Sequence, residues 1–417
     1  MKKMIIEGGH PLTGKIKISG AKNSAVALVP ASLLAEEKVT IDNIPNISDI
    51  KALNEILEYL GAEVEREDET MIINPKTVEN KELPESISKK LRASYYFMGA
   101  LLGKYKKAVM YFPGGCNIGA RPIDLHLKGF EALGANVTIE DNKYTIEADE
   151  LIGTNIYLDF ASVGATINIM LASTKATGTT IIENAAKEPE IVNVATFLNQ
   201  MGAKITGAGT SEIKIKGVKK LHGCFTEVIP DRIEAGTYVI AGVLLGENLR
   251  IENVIPDHID SLLLKLKEMK ANIKVERDCI ITNKKEQLKN INIKTQVFPG
   301  FPTDLQQPLT TLLTQCEKIS KLEENIYENR FQNVEYLNQM GANIIIKGKK
   351  IEIAGPTKLI GKKVVATDLR AGACLVLAGL IAEGTTTITN IEHVLRGYEN
   401  IVEKLSNVGA NIRIIEE

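Results

Sequence analysis

The sequence predicts an α/β fold assembled from six copies of one small unit and divided between two domains. Three observations carry that expectation. The chain has 417 residues, more than one ordinary hydrophobic core serves. A phrase made of an amphipathic helix, a Leu/Met-Gly-Ala stop and an alternating strand recurs along it. A second phrase, a β-rich run closing on Asn, precedes several of those helices.

The copies of the first phrase are EILEYLGAEVERE, KGFEALGANVTIE, TFLNQMGAKITGA, KLKEMKANIKVER, EYLNQMGANIIIK and EKLSNVGANIRII. The stop falls at Gly61, Gly134, Gly202, Lys270, Gly341 and Gly409, spaced by 73, 68, 68, 71 and 68 residues. Glycine at that point fits a left-handed cap that ends a helix, and the alternation after it starts a strand. The second phrase is KVTIDNIP, TTIIENAA, NLRIENVI and TTTITNIE, each a strand followed by an Asn turn. Each unit of about 70 residues holds too many elements for a helical solenoid. Two groups of three, with helices packed inside sheets, are expected instead, and crossovers are expected near Lys22 and Pro230. An extended, non-catalytic repeat scaffold is the competing class.

Composition narrows the function. The net charge is −2, so nothing global attracts nucleic acid, and any anionic ligand must meet a local group of cations. Trp is absent and aromatics are 5%, which leaves no platform for stacking bases. No apolar run has the length of a membrane span, and the N-terminus lacks a signal-like apolar stretch. The five cysteines (Cys116, Cys224, Cys279, Cys316 and Cys374) are an odd count without CxxC spacing. They point to free thiols in a reducing cytoplasm. No P-loop, no GxGxxG after a strand and no HExxH occur, so neither a cofactor nor a metal is expected.

Departures from a repeat are where function collects. The first is Pro113-Gly-Gly-Cys-Asn-Ile-Gly-Ala-Arg-Pro122, which replaces the strand–turn phrase of the second unit. Cys116 there is flanked by glycine and followed by Arg121, the setting of a reactive thiol. The other four cysteines read as small buried hydrophobes. Lys22, Asn23 and Ser24 open an apolar helix, as an anion site or as a solvated lysine with a capping Ser. Arg92 begins another apolar helix. Ser162-Val163-Gly164 opens a third, as an anion-binding turn or an ordinary cap. Arg330, Arg370 and Arg396 stand at turn–helix junctions and together read as a pocket for several anionic groups. Asp304, in the rigid turn GFPTD, is either an N-cap or a catalytic base.

The motifs AKNS, PGGCNIGARPIDLH, FASVGATINIM, ENAAKEPEIVN, GFPTDLQQP, ENRFQN, TDLRAGA and LRGYE, in this order, resemble the UDP-N-acetylglucosamine 1-carboxyvinyltransferase family of enolpyruvyl transferases. The resemblance covers essentially the whole chain, and the cysteine loop is its most specific part. It implies two inside-out α/β barrel domains, residues 22–229 and residues 1–21 with 230–417, with the active site in the cleft between them. It implies two substrates, phosphoenolpyruvate and UDP-N-acetylglucosamine, and the first committed step of bacterial peptidoglycan synthesis. A relative with the same donor, 5-enolpyruvylshikimate-3-phosphate synthase, is the alternative; the cysteine in a glycine-rich loop favours the sugar-nucleotide enzyme.

The resemblance also implies residue roles. Lys22, Arg121 and Arg396 hold the phosphate and carboxylate of the donor, with Arg92 adding positive charge. Arg121, Pro122, Ile123, Asp124 and Leu125 contact the uridine end, and Ser162, Val163 and Gly164 lie beside the diphosphate. Phe160-Ala161 stands where some members carry a lysine. Asp304 binds the sugar 3-hydroxyl, and Ile326 lies alongside the sugar. Cys116 protonates C3 of the donor, Asp304 accepts the hydroxyl proton, and loss of phosphate from a tetrahedral adduct, together with a proton from C3, restores the double bond. The 113–122 loop is expected to close as a lid.

Overall fold

The computed structural model describes residues 2–112 and 123–416. Among them the chain divides into two compact units, residues 2–19 with 230–416, and residues 20–112 with 123–229. Each unit has its own hydrophobic core.

The repeat is visible as six separate sheets with one shared strand order. A short strand pairs parallel with a central strand, and a hairpin pairs antiparallel on the other side, its second strand innermost. Asn155–Tyr157, Thr179–Glu183, Glu212–Lys216 and Lys204–Thr206 show the pattern in full. In the sheet of Lys107–Tyr111 the short strand shrinks to a bridge between Leu83 and Met110. Three sheets are completed from far away in sequence, one of them by Lys15–Lys17, which pairs with Leu249–Glu252. Lys2–Glu7 supplies the inner hairpin strand beside Asn411–Glu416, and Phe225–Glu227 pairs with Val39–Asp42. Among the described residues the sheets remain separate and no closed barrel forms.

Six apolar helices fill the interiors: Lys22–Ala31, Tyr96–Tyr105, Val163–Ser173, Arg232–Leu245, Gln306–Leu313 and Leu369–Ile381. Nearly every residue of each is buried, as an apolar surface on all sides requires. The helices of the recurring phrase are one-sided instead. Ser48–Leu60 buries Ile50, Leu53, Ile56, Leu57 and Leu60, spaced by three and four. No helix is long and apolar enough to cross a membrane among the described residues.

Two backbone features explain the phrases. All six stop positions have positive φ: the five glycines lie between 95° at Gly61 and 106° at Gly409, and Lys270 is at 61°. Asn43, Asn184, Asn253 and Asn390, which close the second phrase, also have positive φ, between 54° and 60°. Three of these side chains tie the central strand to the carbonyl just past the short strand. Asn43 Nδ2 donates to Val228 O at 2.8 Å, Asn184 Nδ2 to Leu158 O at 2.7 Å and Asn253 Nδ2 to Ile18 O at 2.8 Å.

Candidate active site

In the unit of residues 230–416, the sequence separates Asp304, Arg330 and Arg370, and the fold joins them. Asp304 lies in the short turn Thr303–Leu305 before Gln306–Leu313. Arg330 precedes Asn333–Gln339, and Arg370 is the second residue of Leu369–Ile381. Arg330 donates to Asp304 Oδ1 at 2.7 Å and Arg370 to Oδ2 at 3.0 Å. Both guanidinium side chains are buried, while the Asp304 side chain keeps 27% of its surface. Burial opposes ionisation of Asp304, but Arg370, Arg330 and Arg232 outweigh it and hold the carboxyl well below the usual carboxylate range.

This corrects two expectations. Asp304 is not an N-cap: the cap positions of its own turn and of Gln306–Leu313 fall on Pro302 and Leu305, and neither makes a side-chain cap bond. Arg330 and Arg370 are also not open anion sites here, since both are committed to Asp304. Sequence reasoning passed over the caps that aim these arginines. Asp368 accepts from Arg370 N at 2.8 Å and Ala371 N at 3.1 Å. Asp231 caps Arg232–Leu245 through Ile233 N at 2.8 Å and Glu234 N at 2.9 Å. The Asp-Arg-Ile-Glu start at 231–234 is a capping signature that could have found the second. Each arginine also lies over an aromatic ring, Arg232 over Phe298, Arg330 over Tyr327 and Arg370 over Tyr398, at 5.5–5.6 Å. Arg396 ends the short helix Glu392–Leu395 and is half-buried. Ile326 is half-buried in the turn after Ser320–Glu323.

The other unit holds a second group. Lys22 is the first residue of its helix, behind Ala21, and Asn23 follows it half-buried. Ser24 is not the cap; it is buried inside the helix and donates to Asn193 Oδ1. Lys22 Nζ lies 2.6 Å from Asp49 Oδ2, and that carboxylate, 4% exposed, is a partner the sequence did not reveal. Arg92 opens the turn Arg92–Tyr95. Ser162 is an ordinary cap, its Oγ accepting from Ala165 N at 3.3 Å. Val163 and Gly164 form the first turn of that helix.

Gly164 must be glycine for a packing reason. A Cβ there would stand 3.0 Å from both His126 Nε2 and the Tyr95 hydroxyl. His126 is itself fixed. Gly99 N donates to Asn168 Oδ1 at 3.0 Å, which orients the amide so that Asn168 Nδ2 donates to Tyr95 O at 3.0 Å and to His126 Nδ1 at 2.8 Å. The His126 proton therefore sits on Nε2, beside the start of the Val163–Ser173 helix. Burial, then the charge of Arg92, pushes the imidazole down to about 3, so it stays neutral. His126 and the buried Glu188 and Glu190 near Tyr96 lie in the motifs PGGCNIGARPIDLH and ENAAKEPEIVN, but sequence reasoning gave them no role.

Ile123 packs into the core with 3% exposure, so its side chain is not offered to a ligand. Asp124 is exposed and Leu125 half-buried at the start of Asp124–Ala132. Cys116, Arg121 and Pro122 lie outside the described residues. The other four cysteines are free; Cys279, Cys316 and Cys374 are buried and Cys224 half-buried. Burial raises the thiol pKa of Cys279, and pushes Cys224, Cys316 and Cys374 up to about 11.

Repeated mixed sheets and buried helices, with cation–carboxylate pairs at Asp304 and Lys22, define a two-unit α/β protein. The fold is shared with solved structures. It matches the enolpyruvyl transferase NikO from Streptomyces tendae with a TM-score of 0.91, 28% identity and 99% of both chains covered. It matches an EPSP synthase from Acinetobacter baumannii with a TM-score of 0.78 and 19% identity over the full length of both, a likeness of fold alone. The chain belongs to the EPSP synthase (3-phosphoshikimate 1-carboxyvinyltransferase) family, whose pattern matches residues 6–405. Within it, the chain is 54% identical over 98% of its length to UDP-N-acetylglucosamine 1-carboxyvinyltransferase 2 of Listeria innocua, covering 97% of that protein. It is 54% identical over 99% to the protein of that name in Bacillus anthracis, covering 96% of it.

Proposed function

We propose that this chain transfers the enolpyruvyl group of phosphoenolpyruvate to the 3-hydroxyl of UDP-N-acetylglucosamine, releasing phosphate, as the first committed step of peptidoglycan synthesis. The observation that carries the reading is full-length identity of 54% to two proteins named for that reaction. We take the domains as residues 22–229 and residues 1–21 with 230–417, each inside-out; all-round burial of the six apolar helices supports this. Free cysteines support a reducing, cytoplasmic setting.

The chemistry assigns Cys116 as the acid that protonates C3 of the donor, leaving C2 electrophilic. Lys22, Arg121 and Arg396, with Arg92, balance the carboxylate and phosphate of the donor and of the tetrahedral adduct. Asp49, paired to Lys22, holds that ammonium in place. Asp304 anchors the 3-hydroxyl of the acceptor. A carboxylate paired on both oxygens is a weak base. Its part is to hold and orient the hydroxyl, whose proton it takes as the new C–O bond forms and that oxygen becomes acidic. Arg121, Pro122, Asp124 and Leu125 take the uridine end, and Ser162 to Gly164 lie beside the diphosphate, with the N–H groups of Val163 and Gly164 at the helix start turned to it. Ile326 lies along the sugar.

The test is phosphate release from phosphoenolpyruvate with and without UDP-N-acetylglucosamine. Release that requires the sugar nucleotide is expected. Release with shikimate 3-phosphate instead, or with neither acceptor, would overturn the reading.

A further inference from the structure

The unit containing Ser320–Glu323 breaks the rule that the Asn turns establish. After the central strand, where three other units place Asn43, Asn184 and Asn253, this one places Glu324. The Asn residues each donate to the backbone carbonyl just past the short strand. Here the residue just past the short strand is Thr295, and its hydroxyl donates to Glu324 Oε1 at 2.9 Å. The link to that residue is kept with its direction reversed. Asn325 adds a second tie, its N–H reaching Thr295 Oγ1 at 2.8 Å.

The carboxylate gains what an Asn could not supply. Its Oε1 also accepts from Ile326 N at 2.8 Å and Tyr327 N at 3.2 Å. Its Oε2 accepts from Thr303 Oγ1 at 2.9 Å. Glu324 is 2% exposed, and four donors converge on it. Thr303 is the neighbour of Asp304. Tyr327 lies under the Arg330 guanidinium, which donates to Asp304 at 2.7 Å. Two routes therefore run from Glu324 to the Asp304 carboxylate, through Thr303 and through Tyr327 with Arg330.

We propose that Glu324 is a positioning residue for the acceptor: it locks the Asp304 turn and the Ile326–Tyr327 turn into one rigid frame on which the amino sugar is seated. The proposal rests on the functional reading above, in which Asp304 takes the 3-hydroxyl and Ile326 lies along the sugar. Glu324 touches no substrate; it fixes the spacing of two groups that do, and small displacements of such groups are costly.

The substitutions follow from the donors. Glu324→Gln keeps an oxygen for Thr295, Ile326 and Tyr327, and the Thr303 hydroxyl can turn to accept from the amide. Glu324→Ala leaves the N–H groups of Ile326 and Tyr327 without a partner. Thr303→Val keeps shape and β-branching at a half-buried position while cutting the Thr303 route, so it stays folded even where the Ala variant does not. Phosphate release is measured while each substrate is varied in turn. Glu324→Ala and Thr303→Val are expected to raise KM for UDP-N-acetylglucosamine about tenfold, with KM for phosphoenolpyruvate changed less than about twofold. Glu324→Gln is expected to restore acceptor KM to within about threefold of wild type. A folded Thr303→Val enzyme with unchanged acceptor KM, or with both KM values raised alike, overturns the proposal alone. A wild-type chain that releases no phosphate with both substrates present overturns the functional reading, and the proposal with it.

Discussion

Replacing Asp304 by Asn keeps size and shape and removes one charge from between two guanidinium groups. Arg330 and Arg370 have side-chain exposures of 3% and 4%, so neither can recover its lost partner from solvent. Breaking a buried ion pair from one side costs about 3–5 kcal/mol. The 27% exposure of Asp304 lets some water in, which places the expectation at the low end, about 3 kcal/mol. For a unit of this size that lowers the melting temperature by roughly 6–12 °C. The assay is thermal unfolding followed by circular dichroism at neutral pH, with phosphate release measured below the transition. Turnover should fall as well, since an amide neither holds the hydroxyl as strongly nor takes its proton. A second substitution, Arg370→Met in the Asp304→Asn background, removes one stranded charge and should recover part of the stability without recovering turnover. An Asn variant that melts within about 1 °C of wild type would show that the carboxylate does not hold the arginines, and the account of this site would fail. The sign with pH is fixed: a depressed carboxyl pKa stabilises fully above the ordinary value of 3.8, and that contribution is lost as pH falls through the lower, folded value.

His126 gives an acid limb that begins just below neutrality. Its pKa falls from 6.5 to about 3 on folding, so its stabilisation is whole above 6.5 and is lost progressively towards 3; the unfolding free energy from urea titrations should fall by up to about 1.4 kcal/mol per pH unit over that range, a slope that His126→Gln should remove. Lys270→Gly should raise stability by about 0.5–1 kcal/mol in denaturant titration, because it alone among the six stops strains a side chain at positive φ; a loss of stability would contradict that. A thiol reagent at neutral pH should label one cysteine rapidly, and Cys116→Ser should abolish that label, since the other four thiols have raised pKa values; rapid labelling that survives the substitution would contradict the assignment of Cys116.

What the sequence by itself determined was whatever a short stretch of chain encodes. The helix stops at Gly61, Gly134, Gly202, Gly341 and Gly409 were legible because glycine carries no penalty in the left-handed region. The Asn turns were legible because Asn tolerates the same region and bonds locally. Their spacing gave the repeated unit, and the apolar runs gave the helices buried on every side. Cys374 was readable as a core residue from its run GACLVLAGL alone. Tertiary structure decided the rest, because charges pair in space and not in sequence. Asp304 could be a cap or a base until Arg330 and Arg370, 26 and 66 positions away, were seen on its two oxygens. The carboxylate of Asp49 beside Lys22, 27 positions on, could not be read from the sequence. His126 closes the motif of the cysteine loop, but its state was not legible there, since its neutrality comes from burial and its tautomer from Asn168, 42 residues on. Lys2–Glu7 could not be assigned a partner, because its sheet closes only when Asn411–Glu416 reaches it from the other end of the chain. Local conformational preference acts over a few residues and can be read in order; electrostatic partnership and strand pairing are set by which elements the packed core brings together.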